Sequence, residues 1–512
     1  MNIDSSSKFV ISYVLKKSFP IESTMSTPML TNEENKVLLH LSPPMTCTSI
    51  LSATVDKTGT SKDGTAGNIS TEKSPMSQVG SVPVDDTSAD AAAAPEEEKK
   101  KKKMAGAIFD TQLIIREPVT GTGAASHRTT TTGFPFSVSL SLAAPPAISH
   151  VHLHPMAAPH TLKHGLSSLL AADAHHLLLC VVVPVKTRYY SYDHPEEFFV
   201  YTAASALTPT LTRLPAFPDG RQRSSGDIGI LTHGGGGFTV SSLQMWMVGE
   251  GTITVKELEE GTAIIEEFAK LTLLHCSGGD RDNNNSSSNS WVVKKLALPP
   301  FDSDYGGHSG LISKWSSQIA FSHGGKVYWA SYNIGLIFCD VLESLPKLQL
   351  IKFPFPESEI QLLFHVKTDN CGPTASFRTV GVSDGKIKFV DVDKCRSRPS
   401  AIVIRAWTLQ MPQMVWKLDD VLDVNGLWGS ASFKKYGLHQ WVPEYPVVSL
   451  LDPHIVHFVL RQPIYHEQVW MITVDMRAKS VVSCKNYPNG EKGYEYKGLL
   501  FNPYYISSEL SK

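Results

Sequence analysis

The sequence predicts an all-β protein, a β-propeller-like array of antiparallel meanders preceded by a disordered N-terminal extension. Three observations carry this reading. Strand-like apolar runs recur from Ala105 to Tyr487 with Gly, Pro, Asn, Asp or Thr clusters between them. Helical periodicity is nearly absent. One unit, a strand, a turn and a strand closing on a proline, returns several times.

In chain order, residues 1–103 are dominated by Ser, Thr, Asp, Glu, Lys and small residues. Such a composition cannot bury enough apolar surface to offset the entropy of ordering, so this extension is expected to be disordered and dispensable for folding. It ends in Ala91–Ala94, Glu96–Glu98 and Lys99–Lys103, a solvated charge run or a weak nuclear localisation signal that the glutamates partly neutralise. Met104 follows directly and would also serve as a translation start.

The domain is expected over 104–512. Strands are read at Gln112–Arg116, Phe136–Leu142 and Leu177–Val183. Phe198–Tyr201 then leads to Leu211–Pro215, and Leu271–Cys276 leads through the polar tip Asp280–Ser290 to Trp291–Leu298 before Pro299. The clearest copy is a three-stranded meander over Lys326–Pro354. Val327–Ser331 is β-branched and aromatic, Tyr332–Gly335 turns, Leu336–Val341 is apolar on both alternating faces, and Leu348–Phe353 stops at Pro354. Further strands follow at Thr379–Val382, Lys386–Val392, Ala401–Leu409, Val447–Leu451, Ile455–Leu460, Val469–Met476 and Val481–Tyr487. Meanders that each bury a face on the next point to a propeller, with a large β-sandwich as the open alternative and the blade number unreadable.

Composition narrows the function classes. A formal net charge of -2 gives no reason to expect nucleic acid or an anionic membrane as partner. Seven cysteines at 47, 180, 276, 339, 371, 395 and 484 contain no C-x-x-C pair, which argues against a zinc ribbon or a disulfide framework and for reduced thiols. The apolar run Phe9–Leu15 is short for a signal peptide and too short to span a bilayer. An intracellular protein, cytoplasmic or nuclear, is expected.

Few residues invite chemistry. His150, His152 and His154 share one face of an extended strand and could in principle bind Zn²⁺ or Ni²⁺, with His160, His164, His175 and His176 joining only if the fold allows. No fourth ligand or supporting carboxylate is adjacent, so no metal site is assigned. Gly234–Gly237 lacks the Lys-Ser/Thr of a phosphate loop and reads as a hairpin tip between Ile228–Leu231 and Phe238–Val240. Asp452, His454 and His457, or Asp391 with Asp393, could act as acid–base groups, but no motif sets a nucleophile beside them. Trp329, Trp407, Trp416, Trp428, Trp441 and Trp470 read as packing residues rather than a base-stacking platform. Cys339 is expected buried and unreactive, and Asp340 to accept backbone N–H bonds from the turn after it.

The segment Tyr328–Val341 resembles the plant domain of unknown function 1618 (DUF1618), a family expanded in grasses. Further segments agree in the same order: Leu348–Pro354, Lys388–Val392, Ala406–Leu409 with Trp416, Tyr445–Ser449, Asp452-Pro453 with Val456–Leu460, and Trp470–Met476. Upstream, Phe199–Ala203, Leu214-Pro215 and Ile228–Leu231 extend the resemblance to about Leu177–Met476. The family is similar in character to F-box-associated and kelch-like β domains. It brings no established activity, catalytic residue or cofactor, and no F-box-like helical segment precedes the domain here. The expectation is a non-enzymatic domain that binds a protein partner, with no catalytic, cofactor or metal residues. The alternative is a metal-dependent or hydrolytic plant enzyme using the His-rich segment.

Overall fold

The computed structural model describes residues 107–116, 126–156, 167–183, 185–186, 192–193, 195–203, 209–220, 223–249, 265–277, 290–303, 306–355, 373–394, 402–462, 469–486 and 501–504, all within one compact unit. The expected disordered extension lies outside the described residues.

Six small sheets form a ring like a six-bladed β-propeller. Blade 2 comprises Ser168–Asp173, His176–Val182, Glu196–Thr202 and Thr210–Arg213; blade 3 comprises Ile228–His233, Gly237–Gly249, Ile265–Cys276 and Val292–Leu296. Blade 4 is Ile319–His323, Lys326–Ser331, Gly335–Cys339 and Gln349–Lys352; blade 5 is Arg378–Ser383, Lys386–Val392, Val403–Gln410 and Val415–Asp423. Blade 6 is Glu444–Val448, Ile455–Arg461, Val469–Asp475 and Ser480–Asn486. Each of these five is an antiparallel meander whose strands lie in sequence order. Blade 1 is different. It joins Ala107–Asp110, Ile114–Ile115, Ser126–Thr129, Pro135–Ser141 and Ile148–Pro155 to Phe501–Tyr504, with Ala107–Asp110 antiparallel to Phe501–Tyr504 and parallel to Ile148–Pro155. The two ends of the described chain therefore meet in one sheet.

Strand alternation explains why so many strands read as apolar on both faces. In His176–Val182, Leu177, Leu179 and Val181 pack with blade 1 while Leu178, Cys180 and Val182 pack with blade 3. In Gly335–Cys339, Ile337 and Cys339 turn to blade 3, and Leu336 and Phe338 to blade 5. Among the described residues the buried hydrophobics resolve into six clusters, each filling the seam between two neighbouring blades. A two-layer sandwich would give one shared core, so the seams decide for the propeller.

Several expectations are corrected in detail. The meander read over Lys326–Pro354 belongs to a four-stranded blade, because Ile319–His323 precedes it and pairs with Lys326–Ser331. That strand is short and interrupted by Ser322 and His323, which weakened its apolar signal. Ala107–Asp110 was not anticipated, and Gln112–Arg116 retains only Ile114–Ile115 as strand. Helices, not anticipated either, occupy Gly307–Lys314, Val424–Gly429 and Ala431–Lys435. The last two are capped, Asp423 accepting from the Asn425 and Gly426 amides and Ser430 from the Phe433 amide. Pro215, Pro299 and Pro354 do mark blade ends, since each lies two or three residues beyond the outer strand of blade 2, 3 or 4. The turn at Gly335 needs glycine for space: a Cβ there would sit 2.1 Å from the Ile351 carbonyl oxygen.

Candidate functional site

One rim of the ring carries the turns between the first and second strands of blades 2 to 6. Two polar groups gather on it. At the edge between blades 2 and 3, the turn after Ser168–Asp173 brings Asp173, His175 and His176 against Thr232 and His233 of blade 3. The Thr232 amide donates to Asp173 Oδ2 at 2.6 Å, and the Thr232 hydroxyl donates to the Asp173 carbonyl at 2.9 Å. His176 Nδ1 lies 3.0 Å from the same hydroxyl. That hydroxyl has one proton and it is already committed, so His176 Nδ1 carries the hydrogen and Nε2 is a bare acceptor. His176 is 1% exposed, and its Nε2 has no hydrogen-bond partner.

The cluster continues outward. Thr239 Oγ1 sits 3.2 Å from His233 Nε2 and 2.9 Å from His275 Nδ1, and the His175 and His176 rings are 4.1 Å apart. Burial, helped by His175 and His233, pushes the His176 imidazole down to about 3, and burial likewise lowers His275. Burial raises the Asp173 carboxyl against its bonds from Thr232. Nothing local in the sequence joins these residues, which are far apart in the chain and meet only because consecutive blades stack.

Around the same rim, blades 5 and 6 are joined by a second polar group. Lys388 is 1% exposed and its Nζ donates to the Pro453 carbonyl, with Asp419 Oδ2 at 3.4 Å and Asp420 Oδ2 at 3.9 Å. Thr408 donates to Asp419, and His454 Nδ1 meets Asp420 Oδ2 at 3.0 Å. His454 and His457, weighed with Asp452 as acid–base groups and not assigned, turn to different partners. His457 is buried on the opposite face of its strand, its Nδ1 3.1 Å from Thr473 Oγ1, and burial lowers it to about 4.

Asp391 and Asp393 do not act together. Asp391 is held by Arg378 at 2.8 Å in a buried ion pair, and Arg378 also donates to the Tyr332 carbonyl. Asp393 Oδ2 takes Arg405 at 3.1 Å. Glu444 bridges Lys394 at 2.8 Å and Arg461 at 2.6 Å, and these cations hold its carboxyl below the usual range despite burial.

His150, His152 and His154 share one face of Ile148–Pro155, with successive ring centroids 6.3 and 6.2 Å apart. Burial and the nearby Arg116 lower His150 and His152 to about 4 each, so both rings are neutral. His154 is bound to Ser139 Oγ and the Arg116 carbonyl. His160 and His164 lie outside the described residues, while His175 and His176 belong to the blade 2–3 rim cluster. Among the described residues no group of three or more His, Cys, Asp or Glu is disposed to hold a metal ion.

The remaining residues fall in packing roles. Gly234–Gly236 forms the hairpin tip between Ile228–His233 and Gly237–Gly249. Trp329 is fully buried and donates to the Asp227 carbonyl at 3.0 Å. Trp407 and Trp416 pack at the blade 4–5 seam, and Trp428, Trp441 and Trp470 at the blade 5–6 seam. Cys339 is 2% exposed and burial pushes its thiol up to about 12; Asp340 accepts from the Leu342 amide at 2.9 Å.

Residues 329–457 match the family model described as "Protein of unknown function (DUF1618)". That match covers one segment of the chain. That segment begins in the second strand of blade 4, takes in blade 5 and ends in the second strand of blade 6. It therefore includes the Lys388 group and the Arg378–Asp391 pair, but not the histidine cluster. No curated protein matches the chain. Among solved structures, a mutant of Trypanosoma rangeli sialidase displaying trans-sialidase activity is 10% identical with a TM-score of 0.23, covering 72% of this chain and 56% of its own. A structure from the GH130 family of mannoside phosphorylases, described as containing glycoside hydrolases that target β-1,2 mannosidic linkages in Candida mannan, is 11% identical with a TM-score of 0.18, covering 64% of this chain and 84% of its own. Among the described residues, no helix is long and apolar enough to cross a membrane.

Proposed function

We propose that this chain is an intracellular, non-enzymatic domain of a plant protein that binds a protein partner. The observation that carries the reading is the outer edge of blade 5 within the DUF1618 segment. Val415–Asp423 is a nine-residue edge strand, whereas the outer strand of blade 4 has four residues. Val415, Leu418 and Val421 are 59%, 47% and 43% exposed on it. A long edge with exposed apolar side chains is the surface to which an extended segment of another protein adds as a further strand, main-chain bonds giving affinity and side chains giving selectivity. The engagement of Asp391, Asp393, His454 and Glu444 in ties to other residues supports a binding role over an acid–base one. The thiols of Cys180, Cys339 and Cys484, which form no disulfide among the described residues, support a reducing compartment.

The test is affinity purification with mass spectrometry from the native cell type, using the full chain and a Leu418→Asp/Val421→Asp variant that melts normally. Partners recovered with the parent and lost with the variant support the reading. An unchanged partner set overturns the edge as the binding surface. The alternative, a metal-dependent or hydrolytic enzyme using the His-rich segment, predicts stoichiometric Zn, Ni or Fe in protein purified without an affinity tag.

A further inference from the structure

The histidine cluster at the rim of blades 2 and 3 has no part in the edge-binding reading, and its construction is unusual in one respect. Four imidazoles, His175 and His176 from blade 2 and His233 and His275 from blade 3, surround the two contacts that tie the blades at this rim: Thr232 to Asp173, and Thr232 to His176. We propose that this cluster is an acid-opened clasp, which holds the rim turns of blades 2 and 3 together at neutral pH and releases them on mild acidification.

The geometry gives the device its direction. The clasp needs one negative group, Asp173, and one neutral ring, His176, which is enclosed against Phe238 with ring centroids 4.9 Å apart. Around them, His175 and His233 are half-buried and His275 is exposed, so water reaches these three rings without the blades first separating. Among the described residues, Lys294 acts on His275, and His323 ends the blade 4 strand that packs against Ser168–Asp173 and Ile228–His233. Acidification that adds positive charge here places it beside a cation and beside a buried neutral ring whose Nε2 has no partner. At the same time it removes the negative charge of Asp173, whose burial favours its protonated form. Both changes weaken the same contacts. Opening relieves them by hydrating the rings and by giving His176 Nε2 water to bond. The turn itself does not resist: Gly234–Gly236 lies directly beside His233, is exposed, and has open space around each α-carbon.

Hydrogen exchange by mass spectrometry on the full chain tests the proposal, at about pH 7.5 and about pH 5.5 with rates corrected for intrinsic exchange. In the parent protein, peptides covering 167–176 and 228–240 are expected to lose protection roughly tenfold or more at the lower pH while a blade 5 peptide covering 403–410 does not. A His175→Gln/His233→Gln variant should keep its protection at both pH values. Asp173→Asn, in which the charge is removed without any pH change, should show weakened rim protection already at about pH 7.5. No loss in the parent, an equal loss in the double variant, or loss across blade 5 in step with the rim would each overturn the clasp. Should the double variant fold poorly, His275→Gln is the second test: its side chain is exposed, so the substitution is the milder one, and the loss should become smaller.

Discussion

Blade 6 has two seams, and they are built from different materials. Toward blade 5 it presents Val456, Phe458, Leu460, Ile472 and Val474 against Val390, Ile404, Ala406 and Leu422, an apolar surface extended further by Phe433 of the third helix. Toward blade 1, Tyr445, Val447, Val459, Val469 and Met471 meet only Ile108 and Ile148 among the buried hydrophobics of the described residues. Alternation supplies the reason. The strand face of blade 1 that bears Ile148 continues as His150, His152 and His154, while Val151 and Leu153 face blade 2; on blade 6 the face that bears Val459 includes His457. Where the other seams continue in Val, Leu and Phe, the closing seam continues in imidazoles. A ring is closed by its last seam, and here that seam depends on rings that must stay neutral.

The largest expected difference between the two seams is in side-chain truncation. Phe458→Ala removes a fully buried ring from the blade 5–6 seam and should cost about 3–5 kcal/mol. Met471→Ala, in the closing seam, should fall near the lower end of the roughly 2–5 kcal/mol range for such changes, because fewer apolar atoms surround the cavity. Urea midpoints at constant m-value measure both. Equal losses would mean that the closing seam is packed as tightly around Met471 as the blade 5–6 seam is around Phe458.

Acid should separate the seams next. His150, His152 and His457 sit at about 4 in the fold, below the ~6.5 of a free imidazole, so below about pH 6.5 the unfolded chain binds more protons than the folded one. Their contribution is fully present above that pH and is lost as pH falls toward 4, by up to about 1.4 kcal/mol per pH unit for each group. Asp227, pushed up to about 6 by burial, works in the opposite sense between about 6 and 4, one group against several. Stability measured from pH 7.5 downward should therefore fall before ordinary carboxylates titrate, with a slope near two protons or more. In His457→Leu the slope should drop by close to one proton; an unchanged slope would remove His457 from the account.

A smaller effect is the net worth of the Arg378–Asp391 pair at blade 5. Arg378→Met takes the guanidinium away from a buried carboxylate and should cost about 3–5 kcal/mol, yet Arg378→Met with Asp391→Leu should recover most of it. The net value of the pair is thus expected to be slight, near the closing seam's pattern of polar groups that are tolerated when complete. A double variant as unstable as the single one would show that the pair organises the Tyr332 turn as well.

How much of this was legible in the sequence follows from what each feature depends on. Leu336–Cys339 reads as covered on both faces because both faces are covered, by blades 3 and 5; local pattern and tertiary cause coincide. Pro215, Pro299 and Pro354 were legible as blade ends because a proline acts on its own backbone. The blade number was not, since Ile319–His323 hides its strand behind two polar residues. The clusters were less legible still: His176 finds Thr232 56 positions away and Lys388 finds Pro453 65 positions away, and no local periodicity encodes such contacts. The His150 face was read correctly as a face, because that needs only period two, but its burial depends on what packs over it.

The smallest expected effect lies at the turn after Cys339, and it tests whether polar groups outside the seams matter at all. Asp340 accepts the Leu342 amide at 2.9 Å, and Leu342 is 48% exposed. Asn offers the same acceptor, so Asp340→Asn should change stability by less than about 0.5 kcal/mol. Asp340→Leu removes the acceptor, but the amide can reach water, so its cost should stay near 0.5–1.5 kcal/mol, the usual net worth of one bond, and below that of an orphaned buried donor. Cys339 provides the control. Its thiol lies in the blade 3–4 seam and is held protonated by burial, so a thiol reagent should not label it in the native protein with either variant. Rapid labelling in Asp340→Leu would mean that this turn holds the seam shut, and that the bond contributes to packing well beyond its own hydrogen-bond energy.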